Sequence, residues 1–231
     1  MRVDIGIIGA MESEVRELIS RLDSPVTESF SGVDFHLGRL LGKQVVIAKC
    51  GVGKVFAAIC AEIMILKYSP ALLVNTGVAG AIAPGIITGD VVVARRLVQH
   101  DMDTSPLGDP KGLISGINVI YFETDVKAKD ILLAAATELE ISASPGTSAT
   151  GDRFVASREE KERLLSEFTA SACEMEGGAV AQVAYVNNTP FIVIRAISDS
   201  ADGSATVDYP TFLAEAAKNS AAMTLALVKS Y

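Results

Sequence analysis

Short apolar runs alternate with longer stretches of helical periodicity along most of the chain. Continuous apolar runs are typical of strands buried on both faces, whereas the spacing of Val15, Leu18 and Leu22 is typical of a helix. The runs predict strands at residues 3–9, 44–49, 72–75, 90–98, 142–150 and 170–174, a strand from residue 191, and a hairpin at 27–40. The helical spacing predicts helices at residues 12–22, 55–67, 125–140, 157–166, 177–186 and 209–228.

This alternation predicts a single three-layer α/β/α domain over residues 1–231, with a central sheet that is mostly parallel or mixed. A chain of this length often forms one domain, and no repeat or linker divides it. Asp125 is the predicted N-cap of its helix. The glycine-rich segment 76–85 is predicted to be a turn, and the Gly-, Pro- and Asp-rich loop at 100–117 to be the most mobile segment.

Composition narrows the function classes. The net charge is −8, whereas a nucleic-acid binder normally carries a basic surface. The same negative charge disfavours binding to anionic membranes. Neither a membrane-spanning apolar run nor a signal-peptide cleavage pattern occurs, so a cytoplasmic location is expected. Three cysteines without CxxC spacing predict reduced, mostly buried thiols. With only His36 and His100, neither a metal site nor a Ser-His-Asp triad is expected, although the pair of His100 and Asp101 leaves the triad open.

The segment 191–202, with the sequence FIVIRAISDSAD, combines a buried strand with a cluster of polar groups. Ligands usually bind at the carboxyl edge of an α/β sheet, so Arg195 and the two aspartates are candidates for a binding site. The alternative is a structural ion pair between Arg195 and Asp199 or Asp202, since such pairs resemble active sites.

Two glycine-containing segments are further candidates. Gly51 and Gly53 precede a helix but match neither the Walker pattern nor GxGxxG, which favours a tight turn with close packing. The sequence NTGVAG, residues 75–80, follows a buried strand, and free N–H groups in such a segment can bind ligand oxygens.

Paired carboxylates occur at two places. Glu174 and Glu176 lie among small apolar residues, which indicates that both carboxylates are buried. Burying a carboxylate is costly and needs a structural or functional reason. The alternative is an acidic turn that faces solvent. Glu12 and Glu14 open a helix, where the helix dipole alone could explain them. Together with Arg195 and without a metal motif, these groups indicate acid–base chemistry on a small neutral ligand, with no cofactor.

Eight segments in order carry a resemblance to one family: GIIGAMESEV, CGVGK, NTGVAGAI, GDVVVA, HDMD, TGDRFV, CEMEGGAVA and VIRAISDSAD. From residue 5 to about 215 the chain resembles the 5′-methylthioadenosine/S-adenosylhomocysteine nucleosidases. The resemblance implies the nucleoside phosphorylase/hydrolase fold, a homodimer, and a nucleoside as substrate. It also implies hydrolysis of the N-glycosidic bond, through an oxocarbenium-like state, to adenine and a 5-thioribose product.

The resemblance also implies catalytic roles. Asp199 would protonate adenine N7 while Ser198 holds it, and a dry site can raise the pKa of such a carboxyl. Glu14 would position and deprotonate the attacking water, and Arg195 would orient Glu14 and the water.

The implied substrate contacts surround the base, the sugar and the 5′ substituent. Phe154 would stack on adenine, the Val155 backbone would read its edge, and Glu176 would hold the ribose hydroxyls with Met175 against the sugar face. The other predicted contacts are Met11, Val52, Tyr209 and Phe212 around the 5′-alkylthio group, together with Val78, Ala79, Gly80 and Glu174. Thr104 and Leu107 would reach this pocket from the partner subunit.

Two departures and three alternatives accompany the resemblance. Val78 stands where the family often has serine, and the loop 106–116 differs from well-known members. The chain could instead hydrolyse another adenosine-like nucleoside, such as aminodeoxyfutalosine or 5′-deoxyadenosine. A phosphorolytic relative is disfavoured because the acids of GAMESE would repel phosphate. An inert relative would be expected to have lost Glu14, Glu176 or Asp199, and all three are present.

Overall fold

A computed structural model describes residues 2–231 and contains a mixed, ten-stranded sheet. Its strands are β1 (Ile5–Gly9), β2 (Asp23–Phe30), β3 (Val33–Leu40), β4 (Lys43–Lys49), β5 (Leu72–Ala81), β6 (Val91–Gln99), β7 (Phe122–Glu123), β8 (Ala143–Thr150), β9 (Ala172–Glu174) and β10 (Phe191–Asp199). The helices are α1 (Glu12–Ser20), α2 (Lys54–Tyr68), α3 (Val126–Glu138), α4 (Arg158–Phe168), α5 (Gly177–Val186) and α6 (Ala205–Ser230).

Five strands of the sheet form a closed ring. Its order is β10-β6-β8-β9-β5-β1-β4-β3-β2, β7 pairs with β6, and β10 also pairs with β5. The strands β5, β10, β6, β8 and β9 therefore form a ring, from which β1, β4, β3 and β2 extend. Because β1, β5 and β10 are parallel neighbours, their carboxyl ends meet at one edge.

Two apolar clusters cover the two faces of the sheet, as a three-layer fold requires. One joins α2 and α5 to the sheet through Met64 and Val180, and the other joins α1, α3 and α6 through Leu18, Leu132 and Leu227. The predicted mixed α/β class is confirmed.

Most element predictions agree with the structure. Asp125 caps α3 by accepting a hydrogen bond from Ala128 N, and the three free cysteines are buried. The long loop includes a 3₁₀ turn at Ser105–Leu107, and α6 begins at Ala205, earlier than expected. In the described part of the chain, no helix is long and apolar enough to cross a membrane.

The predicted glycine turn at 76–85 is wrong for its first half. Residues 76–81 continue β5, and their backbone pairs with β10 from Thr76 opposite Ile194 to Gly80 opposite Asp199. Pairing with a buried neighbour outweighs the low strand preference of glycine, which in strands often marks a close approach of another group.

Candidate active site

The cavity at the carboxyl edge of the sheet has a volume of about 200 Å³. It is formed by the ends of β1, β5, β9 and β10, the N-termini of α1 and α5, the loops before α2 and after β8, and one residue of α6. The predicted site residues that line it are Met11, Glu14, Val52, Val78, Ala79, Gly80, Phe154, Val155, Glu174, Met175, Glu176, Ser198, Asp199 and Tyr209. Residues distant in the sequence therefore come together here because parallel strands end at one edge.

Four predicted residues do not line this cavity. Arg195 lies behind its wall, and Phe212 lines a separate cavity beside Ile87 and Ser200. Thr104 donates a hydrogen bond to Asp109, while Leu107 projects into solvent with 84% of its surface exposed. Phe212 and Tyr209 are both on α6, and of the two Tyr209 lines this cavity; the contact of Phe212 with a 5′-alkylthio group stays a prediction.

Sequence reasoning missed three lining residues, Ala10, Arg153 and Cys173. Each of them lies inside one of the motifs GIIGAMESEV, TGDRFV and CEMEGGAVA. These motifs were therefore the signal that could have found them.

Glu14 is a buried carboxylate held by backbone amides. Its Oε2 accepts hydrogen bonds from Ala10 N (2.7 Å) and Met11 N (2.8 Å), and its Oε1 accepts one from Val78 N (3.1 Å). Burial raises the pKa of Glu14 above its usual range, although Arg195 and these amides oppose the shift. A helix-dipole role alone would not need this burial, so Glu14 is a positioned base candidate.

Asp199 ends β10 and is 2% exposed. Its Oδ1 accepts a hydrogen bond from Ala201 N (2.8 Å), and its Oδ2 accepts one from Ser198 Oγ (3.0 Å). Burial raises the pKa of Asp199, although these two hydrogen bonds oppose it. The carboxyl therefore retains a proton at higher pH than an exposed aspartate does.

Arg195 forms an ion pair with Glu174, so the alternative pairing with Asp199 or Asp202 is wrong. Its Nη2 lies 2.5 Å from Glu174 Oε2 and donates to Asn75 Oδ1 at 2.5 Å. Asp202 instead accepts hydrogen bonds from the backbone and hydroxyl of Ser204.

The carboxylates of Glu174 and Glu176 have different environments. Glu174 accepts hydrogen bonds from the Thr150 hydroxyl and from Glu176 N and Gly177 N, in addition to Arg195. Burial alone would raise the pKa of Glu174, but Arg195 and these donors lower it. The two oxygens of Glu174 are therefore occupied by donors of this chain.

Glu176 has fewer hydrogen-bond partners than Glu174 and is therefore more available to bind a ligand. Its Oε1 accepts a hydrogen bond from Gly53 N at 2.8 Å, and its Oε2 lies 4.0 Å from Arg195 Nη2. Burial, and next the charge of Glu174, raise the pKa of Glu176 to about 7. The predicted tight turn is present, with Gly53 at φ +101°, and it also supplies a donor to this carboxylate.

The opposite wall is aromatic and apolar. Phe154 is 47% exposed and packs edge-to-face against Tyr209, with ring centroids 5.5 Å apart. The Tyr209 hydroxyl donates to Met11 Sδ at 3.2 Å. A partly exposed ring in this position offers a face on which a flat base can stack.

The pair of His100 and Asp101 is not arranged as part of a triad. Asp101 is bonded to Lys54 Nζ (2.7 Å) and Asp152 N (3.0 Å), while His100 Nδ1 faces Arg163. Among residues 2–231, no group of three or more His, Cys, Asp or Glu side chains is placed to hold a metal ion.

Comparisons with known proteins agree on one family. The model of the phosphorylase superfamily matches residues 4–229. The 5′-methylthioadenosine/S-adenosylhomocysteine nucleosidase of Shewanella sediminis (strain HAW-EB3) is 37% identical over 226 residues, which cover 97% of this chain and 98% of that protein.

Solved structures show the same similarity in three dimensions. The nucleosidase of the same name from Neisseria meningitidis, in complex with methylthio-immucillin-A, has a TM-score of 0.96, 35% identity, and coverage of 99% of both chains. The futalosine hydrolase of Helicobacter pylori strain 26695 has a TM-score of 0.93, 36% identity, and coverage of 99% of this chain and 98% of that one.

Proposed function

Since this chain belongs to the 5′-methylthioadenosine/S-adenosylhomocysteine nucleosidases, within the phosphorylase superfamily, we propose that it hydrolyses both of those nucleosides to adenine and a 5-thioribose product. The predicted family and the class of N-ribosyl hydrolase are confirmed by its relatives. The substrates and the roles of individual residues are the proposal.

The observation that carries the mechanism is a pair of buried carboxyl groups facing one cavity from different elements. Glu14 comes from α1 and Asp199 from β10, and burial raises the pKa of both. Two buried titratable groups that face one cavity are typical of an acid and a base that act on the same substrate.

In this mechanism Asp199 acts as the acid. Its carboxyl proton passes to adenine N7 as the bond between C1′ and N9 breaks, and the electron pair of that bond remains on the base. Adenine then leaves as a neutral molecule, which avoids an unstable anion. The hydrogen bonds from Ser198 and Ala201 fix the carboxyl, so that the proton points in one direction.

Glu14 acts as the base. The oxygen of a water molecule bonds to the cationic C1′, and one of its protons passes to a carboxylate oxygen of Glu14. Three backbone amides hold that carboxylate in place, and Arg195 behind it favours its charged form.

Water rather than phosphate is the nucleophile in this proposal. Glu14, Glu174 and Glu176 all line the cavity, and the buried cation Arg195 is already paired with Glu174. Arg153 also lines the cavity, but its Nη1 lies 3.6 Å from Glu160 Oε1. An incoming phosphate would therefore meet negative charge where a phosphorolytic enzyme needs a positively charged cradle.

The residues that line the cavity are the basis for the proposed substrate contacts. Glu176 would bind the ribose hydroxyls, Phe154 would stack on adenine, and the apolar side chains of Met11 and Val52 would surround the alkylthio group. Val78 offers no hydroxyl at its position, so its side chain can only pack.

A second candidate is the hydrolysis of another adenosine-like nucleoside, such as aminodeoxyfutalosine. The similarity to a futalosine hydrolase over nearly the whole chain favours it. The same acid and base would serve that reaction, because only the 5′ substituent differs.

Adenine release from a substrate panel tests both candidates. Purified protein is incubated with methylthioadenosine, S-adenosylhomocysteine, aminodeoxyfutalosine and 5′-deoxyadenosine, each with and without phosphate. We expect release from the first two at rates independent of phosphate. A strict phosphate requirement would refute hydrolysis, and turnover of aminodeoxyfutalosine alone would favour the second candidate.

A second copy of this chain is the partner we propose, as expected from the resemblance. Val52 lines the cavity and is 50% exposed, and Val55, Phe56 and Ile59 continue an exposed apolar face along α2. An apolar face that runs into a binding cavity is typical of an interface. Thr104 and Leu107 of a partner would complete the 5′ pocket, and a cytoplasmic location stays a prediction.

A further inference from the structure

Three buried hydroxyl groups join α6 to β5 beneath the cavity. The Thr76 and Ser220 hydroxyl oxygens are 2.7 Å apart, and Thr224 Oγ1 donates to Thr76 Oγ1 at 2.8 Å. Each of the three residues is at most 1% exposed. They interrupt an apolar interface built from residues such as Ile194 and Met223, where a hydroxyl is tolerated only when it is hydrogen-bonded.

Ser220 alone among the three also binds the backbone of β5 next to the cavity. Its Oγ accepts a hydrogen bond from Gly77 N at 3.1 Å. Gly77 also leaves room for two side chains of the site, because a Cβ there would lie 2.6 Å from Glu14 Oε1 and 3.2 Å from Arg195 Nη1. The next amide, Val78 N, is the one that donates to Glu14 Oε1.

The chain of contacts therefore runs from α6 through one glycine to the candidate base. Glycine has more backbone freedom than any other residue. Pairing with β10 restricts the backbone at Gly77, and the hydrogen bond from Gly77 N to Ser220 adds a second restraint from α6. Ser220 thereby helps to fix the position of the neighbouring Val78 amide. Glu14 Oε2 is held independently by the start of α1, so only Oε1 depends on this segment.

We propose that Ser220 is a positioning residue, which holds the Gly77–Val78 backbone so that Val78 N fixes Glu14 Oε1 toward the attacking water. The inference rests on the proposed function, in which Glu14 is the base. Ser220 does not line the cavity, so in this proposal its effect on the reaction passes through Glu14.

The test compares Ser220→Ala with Thr224→Val. Both variants remove one buried hydroxyl from the same cluster, but only the first removes the acceptor of Gly77 N, since Thr224 bonds to Thr76 and Ser220 O. We expect Ser220→Ala to lower kcat for methylthioadenosine by about tenfold to 10²-fold, the usual effect of a small misplacement of a reacting group. KM should change by less than about threefold, because the contacts that bind the substrate remain.

A purely structural role predicts a different result. The thermal unfolding temperature should fall in both variants, because each leaves buried polar groups with fewer partners. If kcat falls equally in both, or falls in neither, the proposal is wrong.

A double-mutant cycle shows whether Ser220 acts through Glu14. In the Glu14→Gln background the additional Ser220→Ala change should alter kcat by less than about twofold, because the base is already absent. Equal fold-losses in the two backgrounds would overturn the proposal.

Ser220→Cys covers the case in which the alanine variant does not fold. The thiol fills almost the same volume but is a weak acceptor, so kcat should still fall while KM is retained. Unchanged kcat in a folded Ser220→Cys protein would contradict the proposal. If the wild-type protein itself releases no adenine from any nucleoside of the panel, the proposed function fails first, which separates the two outcomes.

Discussion

Burial and local partners act in opposite directions on the carboxyl groups of this cavity. Burial raises the pKa of Glu14, Asp199 and Glu176, whereas the contact with Arg195 and several donors lowers the pKa of Glu174. A carboxylate such as Glu174, whose two oxygens both accept hydrogen bonds from the same chain, is suited to a structural role. Carboxyls whose pKa is raised by burial keep a proton at higher pH than exposed carboxyls do, so these three are the candidates for chemistry.

The substitution Asp199→Asn tests the proposed acid. It keeps the shape of the side chain but removes the proton that would pass to adenine, so kcat should fall by about 10²- to 10⁴-fold. Adenine release under single-turnover conditions measures this step. The matched control is Asp202→Asn, which lies three residues away and whose side chain accepts hydrogen bonds from Ser204. Near-normal turnover by Asp199→Asn, or an equal loss in the control, would contradict the role.

Glu176 gives a prediction for stability against pH. Its pKa is about 7 in the folded protein and about 4.5 when unfolded. As the pH rises through this window, the unfolded chain loses its proton first, so the raised pKa stabilises the folded protein below pH 4.5 and this contribution is lost as the pH passes 7. The loss is on the order of 3 kcal/mol for a shift of this size.

Thermal unfolding of the wild type and of Glu176→Gln at pH 5 and pH 8 measures this loss. Glutamine imitates the protonated carboxyl, so the wild-type Tm should fall relative to that of the variant between these pH values. Glu138→Gln, at an exposed position of α3, is the control and should follow the wild type. A constant Tm difference between wild type and Glu176→Gln would show that burial does not affect this carboxyl as proposed.

At the scale of single elements, β5 shows where sequence reasoning succeeded and where it failed. The apolar run at 72–75 correctly predicted a strand, because apolar periodicity reports burial directly. The segment 76–81 was wrongly predicted as a turn, because glycine has a low strand preference when judged locally. Its strand conformation comes from pairing with β10, a contact between distant parts of the chain.

The absence of a side chain at Gly77 leaves room beside β5 for the side chains of Glu14 and Arg195. A Cβ at this position would lie 2.6 Å from Glu14 Oε1, closer than van der Waals contact permits. Gly77→Ala should therefore displace Glu14 and lower kcat by at least about tenfold. The fold should persist, because the backbone of Gly77 is not in the left-handed region.

Steady-state kinetics and circular dichroism of Gly77→Ala check this expectation. Gly203→Ala is the matched control, since a Cβ there meets nothing within 4 Å and no positive φ opposes it. A Gly77→Ala protein with wild-type kcat would mean that Glu14 Oε1 need not occupy its observed position.

At the scale of the whole molecule, the sequence predicted the members of the site better than their contacts. Glu14, Glu176 and Asp199 were identified from motifs, and the parallel order of β1, β5 and β10 explains why the ends of these strands meet. The pairing of Arg195 with Glu174 was not predictable, because it depends on packing between distant segments.

In the proposed dimer, residues of both chains form the binding site. Val55 lies in the first turn of α2 and is 70% exposed on the apolar face that continues from the cavity. An aspartate there would place a charge in the interface, while the first turn of a helix tolerates an acidic residue well. Val55→Asp should therefore fold normally and be monomeric in light scattering, whereas the wild type should have twice the mass of one chain.

Catalysis shows whether dimerisation completes the pocket. Without Thr104 and Leu107 of a partner, the Val55→Asp monomer should bind methylthioadenosine less well, with KM raised by about tenfold, or about 1.4 kcal/mol. The matched control is Val126→Asp, which introduces the same charge at the 63% exposed first residue of α3. That variant should remain dimeric with unchanged KM. A monomeric Val55→Asp protein with wild-type KM would show that one chain alone forms the complete binding pocket.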